Sequence, residues 1–222
     1  MKIRPVPSAT LVMARAPIAG RCKTRLQPLL GAEGCAALQA ALVRRAAAWA
    51  VAVAVPGAAY VAYDPPEEEA GIRALVPAGT QLLAQVPGDL GVRLADAIAQ
   101  IPERPLLVVG TDIPALSEVH ARDTLAALEA TGGTDAVLGP ASDGGWWIAG
   151  LGPGTDGAFD RVATEDWGSE RAFDATLAAW AAAGLRGAAV PRTEHDLDLP
   201  EDADRALADP RVPAEIKAVL RT

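Results

Sequence analysis

Apolar runs of strand length alternate along this chain with longer stretches of helical periodicity. The runs are Ala9–Ala14, Ala58–Tyr63, Thr80–Gln85, Pro105–Gly110, Asp135–Gly139, Trp146–Leu151 and Gly187–Pro191. Helical patterns fall at Glu33–Ala50, Glu67–Val76, Leu90–Ile101, Ser117–Ala130 and Glu170–Ala183. In the third, Leu90, Leu94, Ile98 and Ile101 recur at i, i+4, i+8 and i+11 and form one apolar stripe. A last helix is predicted to begin at Pro200, because proline suits the first helical position and Glu201 and Asp202 favour the positive end of the helix dipole. This alternation predicts a single α/β domain over residues 1–222, with a mostly parallel sheet covered on both faces. In such sheets ligands bind beyond the carboxyl ends of the strands, so the loops after strands are where chemistry is expected.

Composition narrows the partners. The 222 residues include 28 Asp and Glu against 20 Lys and Arg, a net charge of −8 at pH 7. That balance argues against general binding to nucleic acid or an anionic membrane. The charge is uneven: Lys2, Arg4, Arg15, Arg21, Lys23 and Arg25 all precede the first acid, Glu33, so residues 1–32 carry +6 and the remainder −14. A basic segment on an acidic body points to a local anion site. Two cysteines, Cys22 and Cys35, make no disulfide framework and fit a reducing cytoplasm. No signal-peptide pattern is visible, and the longest apolar run, Ala46–Val55, falls short of the roughly 20 residues that cross a bilayer. A cytoplasmic protein is expected, and the apolar helix faces are open to a core or to a homo-oligomer contact.

Four loops carry candidate chemistry. Ala14–Leu26, ARAPIAGRCKTRL, sets Arg15, Arg21, Lys23 and Arg25 around Gly20 directly after the first strand. It is either a phosphate-wrapping loop of backbone amides and cations or a solvated turn. It is not a Walker A loop, since Cys22 stands where the glycine before the lysine belongs and Pro17 replaces the earlier glycine. Gly110–Pro114, GTDIP, closes the most apolar strand with Asp112, whose carboxylate either meets a hard divalent cation or closes an Asx turn. Glu194–Asp202, EHDLDLPED, puts Asp196 and Asp198 on one face of an extended segment, as the second half of a metal site. Asp198 is alternatively a helix cap, and His195 points the other way as a packed or solvated residue. Gly139–Gly150, GPASDGGWWIAG, has turn chemistry at Asp143, Gly144 and Gly145. Trp146 and Trp147 alternate faces, so one belongs to the core and the other joins it or lines a pocket. Trp167, Gly168 and Ser169 either form an acceptor-site lip or begin a helix capped by Ser169.

In order, MARAPIAGRCKTRL, QVPGDLGVRL, GTDIP, GPASDGGWWIAGL and HDLDLPEDADRAL span nearly the whole chain. Together they resemble the glycosyltransferase-like family associated with radical-SAM and selenium-domain proteins. That family lies in the glycosyltransferase-A-fold superfamily, with the molybdenum-cofactor and 2-phospholactate guanylyltransferases. The resemblance implies a three-layer αβα fold with a mixed, mostly parallel sheet of the nucleotide-diphospho-sugar transferase type. It implies that Ala14, Arg15, Gly20, Lys23 and Arg25 hold nucleotide phosphates, joined by Thr111 and Asp112. Gln85, Gly88 and Gly91 match a segment lining the nucleotide or acceptor pocket. Asp112, Asp196 and Asp198 match a magnesium site, with manganese as the alternative ion. Asp143, Gly144, Gly145, Trp146, Trp167 and Ser169 fall on the acceptor side. The chain departs from the pattern at Leu199, at Trp146 and Trp147 in place of tyrosines, and at Thr164–Ser169, a loose match to a Trp-Ser-Thr segment.

The implied reaction is nucleotidyl transfer. A small, phosphorylated acceptor attacks the α-phosphate of a nucleoside triphosphate and expels pyrophosphate, with Lys23, Arg25 and Asp112 as catalytic residues. Glycosyl transfer from a nucleotide-diphosphate sugar is the alternative, with Asp143, Glu165 or Asp166 as general base. A catalytically silent nucleotide-binding module is the third reading. The electrostatic expectation common to the first two is that Lys23 stands near Asp112 and Asp196.

Overall fold

A computed structural model describes residues 8–130 and 134–222; Lys2 and Arg4 of the basic segment lie outside them. The strands are β1 (Ala9–Arg15), β2 (Ala59–Asp64), β3 (Gln81–Ala84), β4 (Leu106–Val109), β5 (Ala136–Pro140), β6 (Trp146–Leu151) and β7 (Gly187–Ala189). The helices are α1 (Gln27–Val53), α2 (Glu69–Arg73), α3 (Leu90–Ala99), α4 (Glu118–Ala130), α5 (Ala172–Ala182), α6 (Pro200–Ala208) and α7 (Ala214–Leu220). All seven strands join one sheet in the order β3-β2-β1-β4-β6-β5-β7. Only β6 runs against its neighbours β4 and β5. The fold is the expected α/β sandwich of helices around a mixed, mostly parallel sheet.

Period-two alternation divides each central strand between two cores. From β1 and β4, Val12, Ala14, Leu107 and Val109 face α1 and α4, where Val43, Ala47, Trp49 and Leu125 meet them. Leu11, Leu106 and Val108 point the other way, onto Leu94 and Ile98 of α3, Phe159, and Trp180 of α5. These strands are buried on both faces, which is why they read as uninterrupted apolar runs. A third cluster joins the start of α1 to α6 and α7 through Leu26, Leu38, Leu197, Ala203, Ile216 and Leu220.

Element ends differ from the sequence reading for local reasons. The helix expected from Glu33 starts earlier, at Gln27, but Gly31 breaks it with φ +66 and ψ 176, so regular helix begins near the predicted position. The stretch Thr24–Val53 has the length and mean hydropathy (1.3) of a membrane-crossing helix, and 56% of its most apolar window is buried within the fold. The pattern Glu67–Val76 yields only the five-residue α2 after a single 3₁₀ turn. Helix α7 was not predicted.

β1 leads to β2 and then β3 on one side, whereas β4 pairs with β1 on the other. The order therefore reverses between β1 and β4, and the crevice between their carboxyl ends is the topological switch point.

Candidate functional site

A cavity of about 460 Å³ opens at this crevice. Its walls come from the loops after β1 and β4, the amino end of α3, the β5–β6 turn, the 167–172 segment and the acidic segment before α6. Of the residues singled out from sequence, Ala14, Arg15, Lys23, Arg25, Gln85, Thr111, Asp112, Asp143, Gly145, Trp146, Trp167, Ser169, Asp196 and Asp198 all line it. Gly20, Gly88, Gly91 and Gly144 do not.

Each of the four glycines has a backbone or packing reason to be there. Gly20 and Gly88 have φ +77 and +144, conformations that L side chains avoid. Gly91 lets Trp167 approach, since a Cβ there would stand 2.9 Å from Trp167 Nε1. Gly144 (φ +88) lies against the chain entering α5, where a Cβ would come within 2.0 Å of Glu170 O; Phe173 N–H donates to Gly144 O at 3.0 Å.

The basic loop and the acidic residues meet directly. Lys23 Nζ donates to Asp112 Oδ1 (2.5 Å), Asp198 Oδ1 (2.8 Å) and Leu197 O (2.9 Å), and its side chain is only 5% exposed. Burial alone would lower the lysine's affinity for its proton, but Asp112 and Asp198 outweigh that and hold the ammonium charged well above its ordinary range. Among the described residues Lys23 is the one non-glycine at positive φ (+45), a conformation that costs about 1–2 kcal/mol. Leu26 N–H and Cys35 Sγ–H, donating to Lys23 O, hold it there. Neither the Asx turn at Asp112 nor the cap by Asp198 forms in the way considered from sequence. Asp202 closes the helix entrance instead, accepting from Asp198 N–H (3.1 Å) and Leu199 N–H (2.8 Å).

Backbone contacts fix the acidic segment. Leu197 N–H donates to Asp112 O at 2.9 Å, and Glu194 pairs with Ala141 at the end of β5. Asp196 is the strained member. Burial, followed by the charges of Asp143, Asp112 and Asp198 and opposed by Lys23, pushes its carboxyl up to about 8. Its Oδ2 is buried with no hydrogen-bond partner. Arg15 and Arg25 face the same cavity from exposed positions, with no carboxylate at salt-bridge distance among the described residues.

The aromatic pair divides as the alternation allows. Trp147 is 2% exposed in the core and donates Nε1–H to Arg192 O. Trp146 lines the cavity and stacks on Phe159 at 5.6 Å. Ser169 lies three residues before α5, which begins at Ala172; its hydroxyl accepts from Arg171 N–H at 3.2 Å in the turn that enters the helix and donates to Asp166 O. His195 is exposed beside Ser142.

Sequence reading missed four contributors. Gln39 Nε2 donates to Arg15 O (2.9 Å) and to Thr111 Oγ1 (3.3 Å), tying the two switch-point loops together. Its one signal is a polar residue on the buried face of α1. Arg93 and Asp64, paired at 3.5 Å, add a charged pair to the wall. His120 supports the acidic segment from α4 by donating Nε2–H to Glu194 Oε1 at 2.9 Å.

Residues 35–169 match the family described as an uncharacterized protein conserved in bacteria, DUF2064. The chain belongs to the DUF2064 family. No curated protein matches it by sequence. Solved structures that share the DUF2064 chain's fold include the following three. One, from Desulfovibrio desulfuricans G20 and provisionally named a nucleotide-diphospho-sugar transferase, is 23% identical with a TM-score of 0.77 and 96% of each chain covered. A cytidylyltransferase from Leptospira borgpetersenii serovar Hardjo-bovis is 10% identical with a TM-score of 0.61, covering 97% of this chain and 93% of that one. A CMP:2-keto-3-deoxy-manno-octonic acid synthetase in complex with CTP is 12% identical with a TM-score of 0.56, covering 90% of this chain and 96% of that one. At these identities the shared property is the glycosyltransferase-A-like architecture.

Proposed function

We propose that this DUF2064 chain is a nucleotide-dependent transferase that moves a nucleotidyl group from a nucleoside triphosphate to a small acceptor and releases pyrophosphate. The observation that carries the reading is convergence. Three cations from the first loop and carboxylates from mid-chain and late sequence line one cavity at the switch point.

The carboxylates fit a hard divalent cation. Asp196 Oδ2 is a buried oxygen without a partner, and Asp112 and Asp198 add oxygens of the kind that magnesium or manganese prefers. Among the described residues no group of three or more His, Cys, Asp or Glu is gathered closely enough to hold a metal as the side chains stand. The Lys23 ammonium stands between Asp112 and Asp198. A bound divalent cation would offset the negative charge of a polyphosphate against an acidic body. Arg15 and Arg25 then pair with phosphate oxygens and stabilise the departing pyrophosphate. Trp146, Trp167 and Ser169, which line the same cavity, orient the acceptor.

Glycosyl transfer from a nucleotide-diphosphate sugar is the second reading. Asp143 favours it: this carboxylate lies in the cavity beside Asp196, where a general base would be needed. Glu165 and Asp166 do not line the cavity, and Asp166 pairs with Arg171 at 2.9 Å. A thermal-shift screen of nucleotides and nucleotide sugars, with and without magnesium, separates donor classes, because a bound ligand raises stability by RT ln(1 + [L]/Kd). Analysis of the product then decides: pyrophosphate for nucleotidyl transfer, nucleoside diphosphate for glycosyl transfer. Magnesium-dependent binding without turnover across a broad acceptor panel would leave a nucleotide-binding module.

A further inference from the structure

An ammonium has three N–H groups, and Lys23 commits all three, to Asp112, Asp198 and the carbonyl of Leu197. Arranged so, it has no donor left for a phosphate. The same two carboxylates are the oxygens expected to hold a divalent cation. A lysine and a metal ion competing for one carboxylate pair repel each other, so the two occupancies exclude one another. Arg15 and Arg25 differ, standing exposed in the cavity without carboxylate partners among the described residues.

We propose that Lys23 is an exchangeable counter-ion: without nucleotide it neutralises Asp112 and Asp198, and an arriving polyphosphate draws its ammonium away, so that cation binding by this pair is conditional on nucleotide. This rests on the nucleotide-dependent transferase reading and adds an order to it. The four-carbon stem lets the ammonium swing while the backbone at residue 23 stays pinned by its contacts to Leu26 and Cys35. Coupling of this kind is reciprocal, so metal must raise nucleotide affinity by the factor with which nucleotide raises metal affinity. The free protein is thereby kept from holding a metal that has no phosphate to act on.

The test is manganese binding, counted by electron paramagnetic resonance on the full chain, for wild type, Lys23→Met and Lys23→Gln. Each is titrated alone and with each of the four common ribonucleoside triphosphates. Lys23→Gln keeps an amide donor for Asp112 or Asp198, and so covers the case in which Lys23→Met does not fold. Without nucleotide, the folded variant binds manganese at least tenfold more tightly than wild type. The gain that nucleotide adds shrinks from at least tenfold in wild type to under threefold in the variant. If wild type forms a manganese–triphosphate complex but the folded variant alone binds manganese no better than wild type, the counter-ion proposal is overturned and the transferase reading stands. If wild type forms no such complex with any of the four triphosphates, the underlying reading fails and the proposal with it.

Discussion

Glu194 takes no part in the cavity, yet it anchors the segment that carries Asp196 and Asp198, and replacing it is a sharp test of how that segment is held. Its side chain is 3% exposed and that of His120 is 2% exposed. Ser117 N–H donates to His120 Nδ1 at 3.0 Å, so the proton sits on Nε2, which donates to Glu194 Oε1 at 2.9 Å. Arg211 donates to the same oxygen at 2.8 Å. Glu194→Ala strands a buried histidine N–H, a cost of about 1–3 kcal/mol. It also removes a charge-assisted bond to Arg211, which is half exposed and keeps Asp209, so that loss is nearer 1 kcal/mol. With the cavity left by the side chain the total comes to roughly 3–5 kcal/mol. At about 2–4 °C per kcal/mol for a chain of this size, the unfolding midpoint falls by roughly 6–20 °C. Glu194→Gln, whose amide oxygen still accepts from His120, loses about half as much. Scanning calorimetry in chelator measures both, and manganese binding with nucleotide should weaken in parallel because Asp196 is two residues away. A midpoint within about 1 °C of wild type for Glu194→Ala would refute the anchoring argument.

Three further outcomes are expected. Arg25→Ala leaves the midpoint unchanged, since its side chain is exposed, but lowers nucleotide affinity about tenfold and flattens its salt dependence, both readable by calorimetric titration. In chelator-treated protein, Asp196→Asn stabilises the fold most at about pH 9, less at about pH 5 and not at all near pH 3. With its carboxyl raised from 3.8 to about 8, the folded chain holds a proton that the unfolded chain releases, so wild-type stability declines as pH climbs through that interval; equal pH profiles for the two proteins would contradict this. Gly144→Ala puts a Cβ into Glu170 O at a positive-φ position and costs about 2–4 kcal/mol, so an unchanged urea midpoint would show that the turn does not press on α5 as described.

The strands were legible because burial on both faces leaves an apolar run with little competing pattern; Leu106–Val109 is the clearest case. The basic loop and the three aspartates were legible because each follows or lies just beyond a strand end, where α/β sheets gather ligands. Direct contact between Lys23 and the aspartates was less visible. Its partners lie 89 and 175 residues away, and no periodicity encodes such a distance. The same applies to His120 and Glu194, separated by 74 residues. The reasons for Gly20, Gly88, Gly91 and Gly144 were less legible, because sequence shows a missing side chain without showing the positive φ or the close neighbour that requires it. Helix α7 was overlooked because seven residues present only Ile216 and Leu220 to the core, too few to establish a stripe.

The reversed direction of β6 decides which end of a strand reaches the crevice beside β4. In a wholly parallel sheet, the strand beside β4 would deliver its last residue to the crevice and then depart through a crossover. Here the neighbour delivers its first residues, Trp146 onward, by way of a short hairpin. The tip of that hairpin is pinned at Gly144, where a Cβ has no room against Glu170 O, so the first residues of β6 enter the crevice at a fixed height. One rim of the crevice is thus made by a local hairpin whose two strands share a ladder, while the other is made by the loops that leave β1 and β4, strands distant from each other in sequence.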